Sequence, residues 1–258
     1  MPRIPTPPAP LLPDPDPWVA LKAFTAARIA LGRSGTSVPL REALAFKLAH
    51  AHARDAVYSV LATEPLLAAL QPLQLPVCQV RSRAHTRQEY LQRPDWGRQL
   101  DEPSRALLAE HAAGECDVAL VLADGLSATA INDHAAPLLD LLVPELRQAG
   151  FRLGPLVLAE QARVALGDEI GQLLGARLVL VLIGERPGLS SPNSLGAYFT
   201  YGPRPGLTDE VRNCVSNIRP EGLTYPVAAA KLFFLLQEAR RRQLSGVALK
   251  DQSGLLSG

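Results

Sequence analysis

Apolar positions recur in two different rhythms along this chain, and the change falls near residue 103. Ahead of it the spacing is helical. Val19, Leu21, Phe24, Ala27, Ile29 and Leu31 predict a helix over 18–31 that stops at Gly32. Leu44, Phe46, Leu48, Ala51 and Val57 predict a second over 40–62, entered at Pro39. The flexible link Gly32-Arg33-Ser34-Gly35-Thr36 joins them. Two helices enclose too little core to stand alone, so they are expected to pack on each other or on the rest of the chain. Val77-Cys78-Gln79-Val80-Arg81-Ser82 alternates like an edge strand. Arg93-Pro94-Asp95-Trp96-Gly97-Arg98 reads on its own as a charged surface turn or as a functional loop.

From residue 103 strands and helices alternate. Helices are predicted over 103–113, 128–148, 168–174 and 227–244, and strands over 117–123, 155–159 and 178–183. Weaker strand candidates lie at 197–201 and 214–218. Pro137 and Pro144 predict a break or kink in the helix over 128–148, which ends at Gly150. Pro226 opens the last helix, and Arg240, Arg241 and Arg242 complement the dipole at its end. The runs 118–123 and 178–183 are apolar without alternation. Strands of that kind are buried on both faces, which predicts an α/β fold with a mostly parallel sheet covered by helices. The expected organisation is a tail over 1–17, a small helical N-terminal region with connecting segment over 18–100, and an α/β domain over 101–258.

Composition narrows the function. Proline recurs at 2, 5, 7, 8, 10, 13, 15 and 17, so residues 1–17 are expected to be extended or disordered: a spacer, a docking arm or a loose end. With 258 residues and 47% apolar content, one large domain or a medium and a small one can bury a sizeable core. Lys and Arg number 26 against 25 Asp and Glu, and aromatics are only 5%. Neither the basic footprint nor the stacking platforms of a nucleic-acid binder are present. The longest apolar runs fall far short of the ~20 residues that cross a bilayer, and no signal pattern opens the chain. A soluble, intracellular protein with no membrane partner is expected. Cys78, Cys116 and Cys214 show no CxxC spacing and read as reduced thiols.

Ligands of such sheets bind outside the carboxyl ends of the strands, so three segments become candidates. Asp124-Gly125-Leu126-Ser127 follows a central strand; Asp124 either meets a ligand or belongs to a turn that Ser127 caps. In Gly184-Glu185-Arg186-Pro187-Gly188-Leu189, Glu185 either accepts hydrogen bonds from a ligand or pairs with Arg186 on the surface. In Asn213-Cys214-Val215-Ser216-Asn217-Ile218, Cys214 is either a small hydrophobe or a nucleophile in need of a base. No GxGxxG, GxxxxGK[ST] or GxSxG occurs, and His50 and His52 are wrongly spaced for a helical metal pair. No catalytic set is complete, and no metal ligand is expected. The pattern suggests a cofactor-holding subunit whose reactive partners lie on another chain.

Four segments carry a resemblance: Arg93-Pro94-Asp95-Trp96-Gly97-Arg98, Ala123-Asp124-Gly125-Leu126-Ser127-Ala128-Thr129-Ala130, Gly184 to Leu189, and Asn213-Cys214-Val215-Ser216-Asn217-Ile218. In that order and spacing they resemble the small (light) subunit of ethanolamine ammonia-lyase, over about Trp18 to Asp251. The resemblance implies a Rossmann-like fold in which the 101–258 domain binds cobalamin, and a hetero-oligomer with a large TIM-barrel subunit. It implies adenosylcobalamin as cofactor, between the subunits. Homolysis of its cobalt–carbon bond would start the radical conversion of ethanolamine to acetaldehyde and ammonia. The family's cofactor-binding positions fall on Val164, Glu185 and Cys214. The chain has no DxHxxG pattern, which fits a cobalamin that keeps its own benzimidazole as lower ligand. Family members packaged in a bacterial microcompartment begin with an amphipathic helix, replaced here by the proline-rich tail. A free cytoplasmic enzyme and an encapsulated one both stay open. Two further readings are a non-enzymatic cobalamin-binding or carrier module and a self-sufficient hydrolase using Cys214.

Overall fold

In the computed structural model, which describes residues 18–251 apart from 26, 112, 113 and 115, the chain begins with two helices, α1 (Leu40–Val57) and α2 (Thr63–Leu70). Strand β1 (Val77–Arg81) and helices α3 (Arg87–Gln92) and α4 (Glu102–Glu110) follow. Then come β2 (Cys116–Ala123), α5 (Ala128–Gln148), β3 (Leu153–Glu160), α6 (Leu166–Leu173) and β4 (Ala176–Gly184). The chain closes with β5 (Leu195–Tyr201), β6 (Arg212–Ile218) and α7 (Tyr225–Arg242). The proline-rich stretch 1–17 lies outside the described residues. No helix among them is long and apolar enough to cross a membrane.

The strands form one sheet in the order β1-β3-β2-β4-β5-β6. β1 to β4 are parallel, and β5 runs antiparallel to both of its neighbours. The unbroken apolar runs have the expected cause. Along β2 every residue is buried. Leu120 and Leu122 face a cluster built with α5 and α7, while Ala119 and Val121 face one built with α4 and α6. β1, on the edge, alternates exposed and buried positions. The fold class is therefore α/β, with helices on both faces of a mostly parallel sheet.

Two expectations are corrected. Residues 18–31 form no α-helix: a 3-10 segment, Val19–Phe24, gives way to extended chain at Thr25. Trp18, Val19, Leu21 and Phe24 are all exposed. The helical spacing is present, but its stripe meets no core within this chain, and a helix that short is marginal in water without one. Conversely, α5 runs from Ala128 to Gln148 uninterrupted despite Pro137 and Pro144. It buries Ile131, Leu138, Leu139, Leu142 and Leu146 against the sheet. At about 1.5–3 kcal/mol per large side chain, that burial outweighs two missing N–H groups.

The helix over 40–62 ends at Val57, and its tail is tied to α5. Ala62 N donates to Asn132 Oδ1 at 3.0 Å, Asn132 Nδ2 to Val60 O at 3.0 Å, and Thr129 N to Ser59 Oγ at 3.1 Å. The N-terminal helices thus lean on the sheet domain near its carboxyl edge.

Candidate functional site

The crossover from β2 to β3 uses α5 on one face, and that from β3 to β4 uses α6 on the other. Loops leaving the neighbouring strands β2 and β3 therefore diverge and leave a crevice, the usual ligand site of such sheets. Asp124 fills this crevice from inside. Its carboxylate accepts from Gln161 N at 2.8 Å and Ala162 N at 3.0 Å, both in the loop after β3. Arg87 Nη1 stands 3.8 Å away. Asp124 is only 4% exposed. Burial pushes its carboxyl up to about 6, against the pull of the two backbone donors and Arg87. It is a tie between loops, not a group turned toward a ligand. Ser127 likewise does not cap α5; its hydroxyl donates to Pro192 O at 3.0 Å.

The same loop after β3 is braced from a second side. Arg163 N donates to Gly97 O at 2.8 Å, and Tyr90 Oη donates to Ala162 O at 3.2 Å. The Arg87 and Arg163 guanidiniums lie over the Tyr90 ring at 4.6 and 4.2 Å. Arg87 also donates to Val57 O and Gly125 O. So the 93–98 segment is a brace under the β3 loop through Gly97. Sequence reasoning missed Tyr90, Arg87 and Arg163. One signal was readable: Thr86 and Glu89 form a capping box that starts the helix carrying Tyr90.

With the crevice occupied, the open cavity lies beside it, on the α6 side of the carboxyl edge. It is a cleft of about 410 Å³, lined by Val164 from the loop after β3, by Ile183, Glu185 and Arg186 at the end of β4, and by Tyr198 of β5. Gly125 brings the walls together. It sits at φ +57°, and a Cβ there would meet Gly184 O at 2.3 Å. Leu126 N donates to Gly184 O at 2.9 Å, so the loops after β2 and β4 pack backbone on backbone.

Two of the three expected site residues, Val164 and Glu185, line this one cleft. The Glu185 carboxylate accepts from the Ser194 hydroxyl and from Asn217 N at 3.3 Å, both on Oε2. No ion pair joins Glu185 to Arg186 among the described residues. Cys214 lies in β6, within the strand expected over 214–218, opposite Tyr198 on β5; what is corrected is its place among the loops at the strand ends. It borders a separate hollow along the sheet edge. Its register partner Tyr198 lines the cleft, so Cys214 lies next to it on the sheet. Burial pushes the Cys214 thiol up, Tyr198 pulls it partly back, and Glu185 adds to the rise. A thiol held protonated in this way is a poor nucleophile. Cys78 and Cys116 are free and buried. No group of three His, Cys, Asp or Glu side chains gathers to hold a metal ion among the described residues.

Fold and cleft together define the class: a doubly wound α/β protein whose internal crevice is plugged and whose ligand cleft opens sideways at the carboxyl edge. Known proteins narrow this. The sequence model of the ethanolamine ammonia-lyase light chain matches residues 15–250. The chain is 56% identical over 239 residues to the ethanolamine ammonia-lyase small subunit of Ralstonia nicotianae, covering 92% of this chain and 88% of that one. It is 54% identical over 242 residues to that of Azotobacter vinelandii, covering 92% and 89%. To that of Pseudomonas fluorescens strain SBW25 it is 52% identical over 245 residues, covering 94% and 88%. The chain belongs to the family of ethanolamine ammonia-lyase small subunits.

Proposed function

We propose that this chain is the small subunit of an adenosylcobalamin-dependent ethanolamine ammonia-lyase, active with a large TIM-barrel subunit. It binds one side of the cofactor through Val164, Glu185 and Cys214. The observation that carries this reading is that Val164 and Glu185, from loops after two different strands, face one cleft. The donor set suits cobalamin, a large ring rimmed by amide side chains. Glu185 accepts hydrogen bonds, Arg163 and Arg186 donate them, and Val164 and Tyr198 offer apolar contact. A cleft of about 410 Å³ seats only an edge of so large a ring. The remainder needs a second wall, which fits a partner chain.

Apolar surface supports a partner too. Trp18, Phe24, Leu40, Leu44, Phe46 and Leu48 are exposed in and near α1, more than an isolated soluble domain usually leaves bare. Arg28, which lies over the Phe46 ring at 5.9 Å, donates to Leu189 O at 3.2 Å, so this surface adjoins the cleft loop. When bound, adenosylcobalamin supplies radical chemistry through its cobalt–carbon bond. This chain's residues bind and orient it, and none of them is given a catalytic part.

The test is co-expression with the large subunit of a relative, addition of adenosylcobalamin and ethanolamine, and measurement of acetaldehyde. Turnover by the pair and by neither chain alone is expected. A well-assembled pair that yields no acetaldehyde contradicts the reading. Tight cobalamin uptake by this chain alone, with no turnover in the pair, favours a carrier.

A further inference from the structure

β5 brings Tyr198 to the cleft lining, and Gly196 of the same strand lies against Glu185. Tyr198 sits on the face of the sheet that α6 covers farther along. There Thr200 and Arg212 are buried, Arg212 in an ion pair with Asp168 of α6. Two residues nearer the carboxyl edge that cover has ended, and the Tyr198 ring is only half-buried and lines the cleft. Gly196 lies two residues nearer still, beneath the Glu185 side chain. A Cβ at Gly196 would stand 2.9 Å from Glu185 Oε1, 3.0 Å from Glu185 Cγ and 3.1 Å from Tyr198 Cε2. Glu185 and the Tyr198 ring therefore lie side by side over Gly196, where a Cβ would crowd both.

We propose that Gly196 and Tyr198 are binding determinants of the cleft: the Tyr198 ring is the floor on which an apolar edge of the cobalamin rests, and Gly196 is the gap that lets the Glu185 carboxylate take its place beside it. The inference rests on the cobalamin reading above. Its physical basis is the division of labour in ligand sites, where flat apolar surface supplies contact and a few fixed polar groups supply orientation. Ser194 and Asn217 N hold Oε2 of Glu185, and the gap over Gly196 receives Oε1. On the other flank Cys214 stands opposite Tyr198 in the β5–β6 pair, free and exposed, a weak donor for an acceptor on the ligand.

The experiment is equilibrium titration of the assembled two-subunit complex with cyanocobalamin, followed by absorbance, with subunit assembly checked by gel filtration. Tyr198→Leu keeps apolar bulk but removes the flat ring, and its Kd is expected to rise about tenfold, the equivalent of roughly 1.4 kcal/mol. Tyr198→Phe keeps the ring and is expected to stay within about twofold. Gly196→Ala is expected to weaken binding as much as Glu185→Ala does, and the double variant no further, because both act on one carboxylate. Wild-type Kd in an assembled Tyr198→Leu complex overturns the floor. Multiplying effects in the double variant overturn the gap. If Tyr198→Leu does not assemble, a tenfold loss in Tyr198→Phe likewise overturns the floor, because the ring is still there. A wild-type complex that takes up no cyanocobalamin overturns the cofactor reading itself, and this inference with it.

Discussion

Asp124 and Glu185 stand at the carboxyl ends of the neighbouring strands β2 and β4, each beside a glycine, yet their surroundings differ. Asp124 is 4% exposed and uses both oxygens on backbone donors of the adjoining loop. Glu185 is half-buried, keeps its internal bonds on Oε2, and borders the cleft. The loop that Asp124 holds is further fixed by Gly97, Tyr90, Arg87 and Arg163, so one wall of the cleft is rigidly braced. The opposite wall hangs on Glu185 itself, with a Gly188–Ser191 turn and the Arg28 contact at Leu189. Position at a strand end does not make a carboxylate a ligand group. What decides is whether neighbouring backbone N–H groups have already claimed its oxygens.

Removing Asp124 should break this contrast most severely. Asp124→Ala leaves Arg87 buried without its carboxylate and two N–H groups unmet, and should cost about 3–5 kcal/mol of folding stability. Denaturant unfolding measures it; a loss near that of an ordinary surface substitution would mean the tie is unimportant. Next in size is a pH effect. The folded Asp124 pKa of about 6 lies above its ordinary 3.8, so the fold favours the protonated form. That contribution is complete below about 3.8 and lost as the pH rises through about 6. From pH 4 to 7 the wild type should therefore lose on the order of 3 kcal/mol relative to Asp124→Asn. A gap that stays constant with pH would contradict the assigned burial.

The other carboxylate should behave differently. Glu185→Ala loses two hydrogen bonds at a half-exposed site and should lower stability by no more than about 1–2 kcal/mol. An unfolding midpoint as low as that of Asp124→Ala would erase the distinction between the two walls. The smallest effect belongs to Arg186, which is exposed. Arg186→Ala should stay within about 0.5 kcal/mol of wild type in thermal unfolding. A larger change would point to an ion pair with Glu185 after all.

Much of the fold was legible because burial writes directly into the pattern. β2 and β4 are apolar without a break over 118–123 and 178–183 since both faces are covered there, and β1 alternates because it is an edge. The 18–31 segment misled because periodicity records an apolar stripe, not the surface that stripe packs against. Of the residues that line the cleft, Glu185 was legible through its strand-end loop, and Val164 only through the family resemblance. Cys214 was legible as a strand residue, but its neighbour was not, since register alone sets it opposite Tyr198. Tyr90 and Tyr198 were not legible as site residues. One comes from a helix far earlier in the chain and the other from mid-strand, and only the folded sheet edge brings them together. The role of Asp124 was invisible for a similar reason. Its partners lie 37 and 38 residues away, on backbone atoms with no side-chain signature.

The most direct test of Glu185 as the cofactor-facing carboxylate is an adenosylcobalamin titration of the two-subunit complex carrying Glu185→Ala, read by absorbance beside the wild type. Loss of hydrogen bonds to a charged acceptor predicts weaker binding by roughly 1.5–3 kcal/mol, a Kd more than about tenfold higher, in a complex that still assembles. An assembled complex with the wild-type Kd would contradict the account.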